Sequence, residues 1–139
     1  MEQKLRTCSS QMIERISTQR EWVRGHFVDQ STSKYDSIEG KLYLLEGILS
    51  KGFIESNETW KLQSLGIVLG DALAQKLDLN WIEVEDEYGV DPALRFKDSS
   101  VIAFPLTMIS KRVEKGEQVD IRVLFEGMVD LISQQVKSL

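Results

Sequence analysis

The chain contains very little cysteine and histidine, the residues that supply thiol and imidazole groups. Cys8 is the only cysteine and His26 the only histidine among 139 residues. A lone cysteine cannot form an internal disulfide, and one continuous helix would hold the two side chains about 27 Å apart at roughly 1.5 Å per residue. No GxSxG, CxxC or HExxH motif occurs. We therefore predict no catalytic residue, no metal site and no cofactor, and an enzyme built on Asp, Glu, Lys or Tyr is the less favoured alternative.

Long apolar runs are missing as well. Stretches without charge or strong polarity, such as residues 65–70, are far shorter than the roughly 20 apolar residues of a membrane helix. No apolar N-terminal run leads to a small-residue cleavage site, so we expect a cytoplasmic protein. With two prolines, 42% hydrophobic and 28% charged residues, the composition is typical of a folded protein. The length favours a single domain, residues 1–139.

Positive charge is in deficit. The chain has 17 Lys and Arg residues against 22 Asp and Glu residues, which gives a formal net charge of −5. A negatively charged molecule repels phosphate backbones and anionic membrane surfaces. We therefore expect no nucleic-acid partner and no membrane partner, and we expect another protein as the partner.

Helical spacing dominates the first part of the chain. An apolar stripe over residues 5–27 predicts one long first helix, which ends before a polar linker at residues 29–33. A leucine-rich seam over residues 35–49 predicts a second helix. We expect the two helices to form an antiparallel hairpin within residues 1–53.

A third helix is predicted at residues 60–77, and its apolar stripe is broad enough to make it the most buried element. Gly66 and Gly70 lie four residues apart on it, and we expect these small residues to let the helix sit tightly on a sheet. Two helical patterns follow in the C-terminal part of the chain. One begins near Pro105, and the other is capped by Asp120.

Between residues 81 and 104 the spacing changes from helical to alternating. Ile82 and Val84 alternate with Glu83 and Glu85, which predicts a strand with a dry inner face and a wet outer face. Two further apolar runs in this stretch complete a three-stranded antiparallel β-meander.

The fold class predicted from these patterns is α+β. Residues 1–53 form the helical hairpin. Residues 54–139 contribute a helix, the β-meander and two C-terminal helices that pack on it.

The second half of the chain carries several short motifs of a known family. They are Leu65-Gly66, Leu69-Gly70, Trp81, Val84, Asp86, Tyr88-Gly89, Ala93-Leu94, Pro105 and the segment MISKRVEKGE at residues 108–117. Over residues 60–129 this pattern resembles the bacterial DUF3806 family, a domain of unknown function. The resemblance carries over no catalytic residue, and the helical hairpin lies outside it.

The β-meander offers an acidic surface as a partner-binding candidate. We expect Glu83, Glu85 and Glu87 on its outer face, with Trp81 as an aromatic anchor because tryptophan is enriched at binding hot spots. A solvated strand face and partial core burial of Trp81 explain the same residues without a function.

A second polar set is expected near the meander and the helix that follows it. Its members are Asp86, Tyr88, Arg95, Lys111, Arg112 and Glu114. As a structural ion-pair network, the three residues of the helix would lock it to the sheet. As a ligand site, the same groups would line a polar cleft.

A non-enzymatic protein-binding module is the function that these patterns favour. Its most concrete form is a bacterial immunity protein, which would neutralise a toxin with a basic surface by direct binding, because opposite charges steer association. Two alternatives stay open. One is a small enzyme or ligand-binding protein that uses the polar cleft, and the other is a self-associating scaffold or homodimer joined through the leucine seam of the second helix.

Overall fold

The computed structural model describes residues 2–26, 35–52 and 54–139. The predicted end of the first helix near Asp29 and the predicted linker at residues 29–33 lie outside them. In chain order, the described elements are β1 (Lys4–Thr7), α1 (Ser10–Arg24), α2 (Ile38–Lys51), α3 (Thr59–Leu77), β2 (Asn80–Asp86), β3 (Gly89–Arg95), β4 (Ile102–Ala103), a 3-10 turn (Pro105–Thr107), α4 (Met108–Glu114) and α5 (Ile121–Lys137).

The predicted α+β fold is confirmed, and its antiparallel sheet has four strands in the order β1-β2-β3-β4. β2 and β3 form the centre and pair from Asn80 opposite Arg95 to Asp86 opposite Gly89. β4 adds two residues beside β3. The predicted meander is therefore present, with β1 as an additional edge strand.

Strand β1 corrects the prediction of one long first helix. Leu5 lies opposite Val84 in the ladder, so the start of the predicted helical stripe is extended. Ser9 caps α1, since its side chain accepts a hydrogen bond from the Met12 N–H at 3.2 Å. The apolar spacing was misleading because a strand of four residues is too short to show its own period.

Helix α3 lies at the centre of the core, as predicted. Both α1 and α2 make their largest contact with α3, so the two helices predicted as a hairpin meet mainly through it. The leucine seam of α2 faces this core, where Leu42 and Leu45 are buried with Leu65 and Leu69. The leucine seam through which a self-associating scaffold would dimerise is therefore already packed against α3 of the same chain.

The two α3 glycines sit where other segments come closest. A Cβ atom at Gly70 would lie 2.5 Å from the ring of Trp81, and one at Gly66 would lie 2.6 Å from the carbonyl oxygen of Pro105. The predicted close approach is confirmed, and the turn after β4 takes part in it as well as the sheet. Several motifs of the family resemblance thus meet in one packing contact.

The two predicted C-terminal helices are α4 and α5. Pro105 begins the 3-10 turn that leads into α4, and Asp120 caps α5 by accepting a hydrogen bond from the Val123 N–H at 3.1 Å. Ile121 and Phe125 are buried in the same core as α3. The helices therefore enclose α3 together with the sheet.

Candidate functional site

The face of β2 that carries Trp81 is turned toward the helices. Trp81 lies opposite Leu94 in the ladder, and Leu94 is completely buried in the main core. Because side chains alternate along a strand, Glu83 shares that face, and it is only 3% exposed. The prediction of a wet outer face is therefore wrong for Glu83, which is a buried carboxylate.

Arg6 and Ser9 bind this carboxylate. Arg6 Nε donates to Glu83 Oε2 at 2.7 Å, and Arg6 Nη1 donates to Glu85 Oε1 at 2.6 Å. The Ser9 N–H donates to Glu83 Oε1 at 2.7 Å. This N–H, and after it the Arg6 guanidinium, hold the pKa of Glu83 below its usual value. Two of the three glutamates predicted to bind a partner are thus engaged within the chain.

The β2–β3 turn presents acidic residues to solvent. We call residues 87–91 the acidic tip, and all five are exposed. Tyr88 is 88% exposed, and its N–H donates to Asp86 Oδ1 at 2.8 Å, which fixes the turn. In the part of the chain that the structure describes, neither Glu87 nor Asp91 forms an ion pair. Their charges are available to a partner.

The predicted polar set is spread over the molecule. Asp86 and Arg95 lie at opposite ends of the β2–β3 ladder, about 20 Å apart at roughly 3.3 Å per residue. Arg95 binds its own turn, because its Nε donates to Ser99 O at 2.7 Å and its Nη2 donates to Asp98 O at 2.9 Å. The strand members of the set therefore do not form one site.

The α4 members of that set do not bind the sheet. Arg112 Nη1 donates to Met108 O in the same helix at 2.7 Å. Glu114 Oε1 accepts a hydrogen bond from Thr59 Oγ1 at 3.4 Å, and Lys111 is exposed. Among the described residues, no ion pair joins α4 to the sheet. The predicted ion-pair network is therefore not formed, because Arg112 finds an acceptor within its own helix.

A surface groove of about 800 Å³ lies elsewhere, between the C-terminal end of α2 and the α4–α5 connection. Its described polar lining includes Glu46, Glu117 and Asp120, and it includes no member of the predicted polar set. The ligand-binding alternative gains no support from the residues predicted for it.

A polar hub forms around Asp71 of α3. Arg20 of α1 donates to both carboxylate oxygens, at 2.6 and 2.9 Å. The Tyr35 hydroxyl donates to Oδ2 at 2.7 Å, and Trp81 Nε1 donates to Oδ1 at 2.9 Å. We call these four residues the Asp71 hub. Trp81, predicted as a partner anchor, is hydrogen-bonded inside the molecule.

Two further cations lie against the ring of Tyr35. Arg24 Cζ is 5.2 Å and Lys41 Nζ is 4.8 Å from the ring centroid. Lys41 is 6% exposed, and its Nζ donates to Gln75 Oε1 at 2.7 Å. Burial lowers the pKa of Lys41. Burial, and then the charge of Asp71, raise the pKa of Tyr35.

Sequence patterns did not identify the hub or the buried lysine. A signal was present, because Asp71 and Lys41 are charged residues inside apolar helical patterns, and a charged group that is buried needs a partner. The partners could not be assigned from local spacing. Arg20 and Tyr35 lie 51 and 36 residues from Asp71 in the sequence.

Residues 2–26, 35–52 and 54–139 contain no group of three or more His, Cys, Asp or Glu side chains that could hold a metal ion. They also contain no helix with both the length and the apolar character that a membrane crossing requires.

Comparison with known families shows which family the chain belongs to. Residues 41–125, more than half of the chain, match the model of one family. The chain belongs to the family described as Domain of unknown function (DUF3806). The resemblance seen over residues 60–129 is thereby confirmed. The prediction that the whole helical hairpin lies outside the family is wrong for α2, because the match begins at residue 41 within that helix. The DUF3806 region includes Lys41, Asp71 and the acidic tip. Arg20 and Tyr35 precede this region in the sequence.

A solved structure from Bacteroides thetaiotaomicron VPI-5482, determined at 1.50 Å resolution, is similar to this DUF3806 chain with a TM-score of 0.77 and 17% sequence identity. The similarity covers 94% of this chain and 48% of that one, so the chain spans about half the length of that protein. At this identity the likeness shows the fold alone. A search of curated proteins gives no match.

Proposed function

We propose that this chain is a protein-binding module whose acidic tip contacts a basic surface of another protein. The observation that carries the proposal is the apex of the β2–β3 turn, where Tyr88 is 88% exposed between the exposed carboxylates of Glu87 and Asp91. Tyrosine is enriched among the residues that dominate binding energy at interfaces. An exposed tyrosine flanked by unpaired charges is suited to serve as such an anchor.

The tip stands on a well-ordered support. β2 and β3 pair along seven residues each, and the carboxylate of Asp86 holds the N–H of Tyr88. At the other end of the ladder, Trp81 is packed against Gly70 and hydrogen-bonded to Asp71. A preorganised contact surface loses less conformational entropy on binding than a flexible one.

The charge of the tip selects the class of partner. Arg6 forms ion pairs with Glu83 and Glu85 on the neighbouring part of β2, whereas Glu87 and Asp91 have no opposite charge bound to them in the described residues. Opposite charges across an interface raise the association rate and favour the correct partner. The partner surface is therefore basic, and the net charge of −5 adds to the attraction.

The most concrete form of the proposal is an immunity protein that neutralises a toxin by direct binding. Charge complementarity supports this form, because an acidic tip with an aromatic anchor would fit a basic toxin surface. The role requires binding only and needs no catalytic group on this chain.

The test is a titration of the purified chain with the purified product of the neighbouring gene, followed by calorimetry at micromolar concentrations. We expect a one-to-one complex whose affinity decreases as the salt concentration increases, because salt screens exposed charges. Absence of binding at micromolar concentrations would contradict the immunity form. Binding that is insensitive to salt would contradict the role given to the acidic tip.

A further inference from the structure

The amine of Lys41 is the first of two cationic groups that have unused hydrogen-bonding capacity among the described residues. A lysine ammonium has three donors. Within residues 2–26, 35–52 and 54–139, Nζ has one acceptor, Gln75 Oε1 at 2.7 Å, and one aromatic contact, with Tyr35. The residue is nevertheless 6% exposed. A charged group removed from water in this way is stabilised when further acceptors are present.

The guanidinium of Arg24 is the second such group. Its Nη1 donates to Glu21 Oε1 at 2.9 Å, and its Nε is buried and has no acceptor among the residues that the structure describes. Its side chain is 35% exposed, so the group can still be reached from solvent. A buried donor without an acceptor calls for an explanation, and a bound ion is one of the known explanations.

Both groups contact the same aromatic ring. Arg24 and Lys41 come from α1 and α2, and both lie over the ring of Tyr35, at 5.2 and 4.8 Å from its centroid. Asp71 is not available as an acceptor for Arg24 and Lys41, because its two oxygens already accept four hydrogen bonds from the other members of the hub. The Asp71 carboxylate is therefore committed to other donors.

We infer that Arg24 and Lys41 bind a small oxyanion, a carboxylate or a phosphate group, beside the ring of Tyr35. The guanidinium and the ammonium supply charge-assisted donors, which form the strongest hydrogen bonds to such groups. The site lies on the helical side of the molecule and is separate from the acidic tip. It therefore gives the chain a small-molecule ligand in addition to its protein partner.

The test follows the side-chain Nε–H signal of Arg24 by ¹H–¹⁵N NMR spectroscopy of the full chain. Inorganic phosphate is added up to millimolar concentrations at constant ionic strength, and acetate is used in a parallel titration. We expect a saturable shift of the Arg24 signal with at least one of the two anions. A linear shift shared by all arginine Nε–H signals, or no shift, would overturn the inference.

Lys41→Met is the decisive variant, because it removes the charge and keeps the length and apolar body of the side chain. We expect it to weaken binding of the anion by about tenfold or more, since it removes a charge-assisted hydrogen bond. Lys111→Met, at an exposed position on α4, is the matched control and should bind as the wild type does. Unchanged affinity in Lys41→Met, with backbone amide signals that show it is folded, would overturn the inference. Should Lys41→Met fail to fold, Arg24→Gln provides the same comparison through backbone amide shifts.

Discussion

At the scale of single residues, Asp71 ties three other segments to α3. Its two oxygens accept hydrogen bonds from Arg20, Tyr35 and Trp81, which belong to α1, the turn before α2, and β2. The Asp71 side chain is 11% exposed and that of Arg20 is 29% exposed. The net contribution of such hydrogen bonds to stability is modest. Removing the carboxylate is nevertheless strongly destabilising, because its partly buried donors are then left without an acceptor.

Asp71→Ala should reduce the free energy of unfolding by about 3 kcal/mol, because it leaves a partly buried guanidinium and two other donors without their acceptor. Urea denaturation followed by far-UV circular dichroism measures the loss. Arg112→Ala is the control, since Arg112 donates to a carbonyl oxygen of its own helix. We expect that control to cost less than about 1 kcal/mol. Equal losses in the two variants would contradict the special role of the hub.

Glu83 makes stability depend on pH in a defined direction. Its pKa is lower in the folded chain than the usual value of 4.5, chiefly because of the Ser9 N–H and then Arg6. The unfolded chain therefore binds the proton more tightly, and the stabilisation is present above that value and is lost as the pH falls through the folded pKa.

The corresponding experiment compares wild type with Glu83→Gln by urea denaturation between about pH 7 and about pH 3. We expect the free energy of unfolding of the wild type to fall more steeply below about pH 4.5 than that of the variant, since the variant has no proton to bind at this position. Glu39 and Glu58 also have lowered pKa values and contribute equally to both curves. If the free energy of unfolding fell in parallel with pH for wild type and variant, the lowered pKa of Glu83 would be contradicted.

The residue scale also shows where sequence reasoning failed at the candidate site. Alternation correctly separates Ile82 and Val84 from Glu83 and Glu85, but it does not say which face is covered. Val84 is buried as predicted, but Glu83 is buried as well. The glutamate side is covered because Trp81 on that side packs against α3 and because Arg6, 77 residues from Glu83 in the sequence, binds its carboxylate. Of the predicted surface, only Glu87 keeps an exposed and unpaired carboxylate in the described residues.

At the scale of elements, helical stripes were more informative than short strands. The α3 pattern predicted both the element and its buried face, and the α5 pattern predicted the element, since long periodic segments carry a repeated signal. β1 has four residues, and its pairing partner β2 is far away in the sequence. Non-local pairing of that kind leaves no local pattern, so the fourth strand could not be predicted.

The close packing of α3 predicts opposite effects for two glycine substitutions. At Gly66, an added methyl group would meet the backbone carbonyls of Pro105 and Leu106. Gly66→Ala should therefore reduce the free energy of unfolding by about 2 kcal/mol or more, in spite of the better helix propensity of alanine.

Gly47→Ala on α2 is the matched control, since a Cβ atom there meets nothing within 4 Å. We expect a gain of about 0.5–1 kcal/mol from helix propensity and reduced freedom of the unfolded chain. Differential scanning calorimetry of both variants distinguishes the two signs. A stabilising Gly66→Ala would mean that α3 does not approach the turn after β4 as closely as described.

At the scale of the whole molecule, the distribution of charge is more informative than its sum. The net charge of −5 indicated an acidic surface, but it did not show where that surface lies. Arg6 covers part of the acidic strand, and the tip of the β2–β3 turn keeps its charges. The sequence could therefore predict the fold class and the family, whereas the site depends on contacts between distant residues.

The role of the acidic tip is tested most directly by comparing two exposed tyrosines in a calorimetric titration with the partner protein. Tyr88 lies in the tip, and Tyr43, which is 65% exposed, lies on α2. We predict that Tyr88→Ala raises the Kd by about tenfold or more, corresponding to at least about 1.4 kcal/mol, whereas Tyr43→Ala changes it by less than about twofold. Wild-type affinity in Tyr88→Ala, or an equal loss in Tyr43→Ala, would contradict binding through the tip.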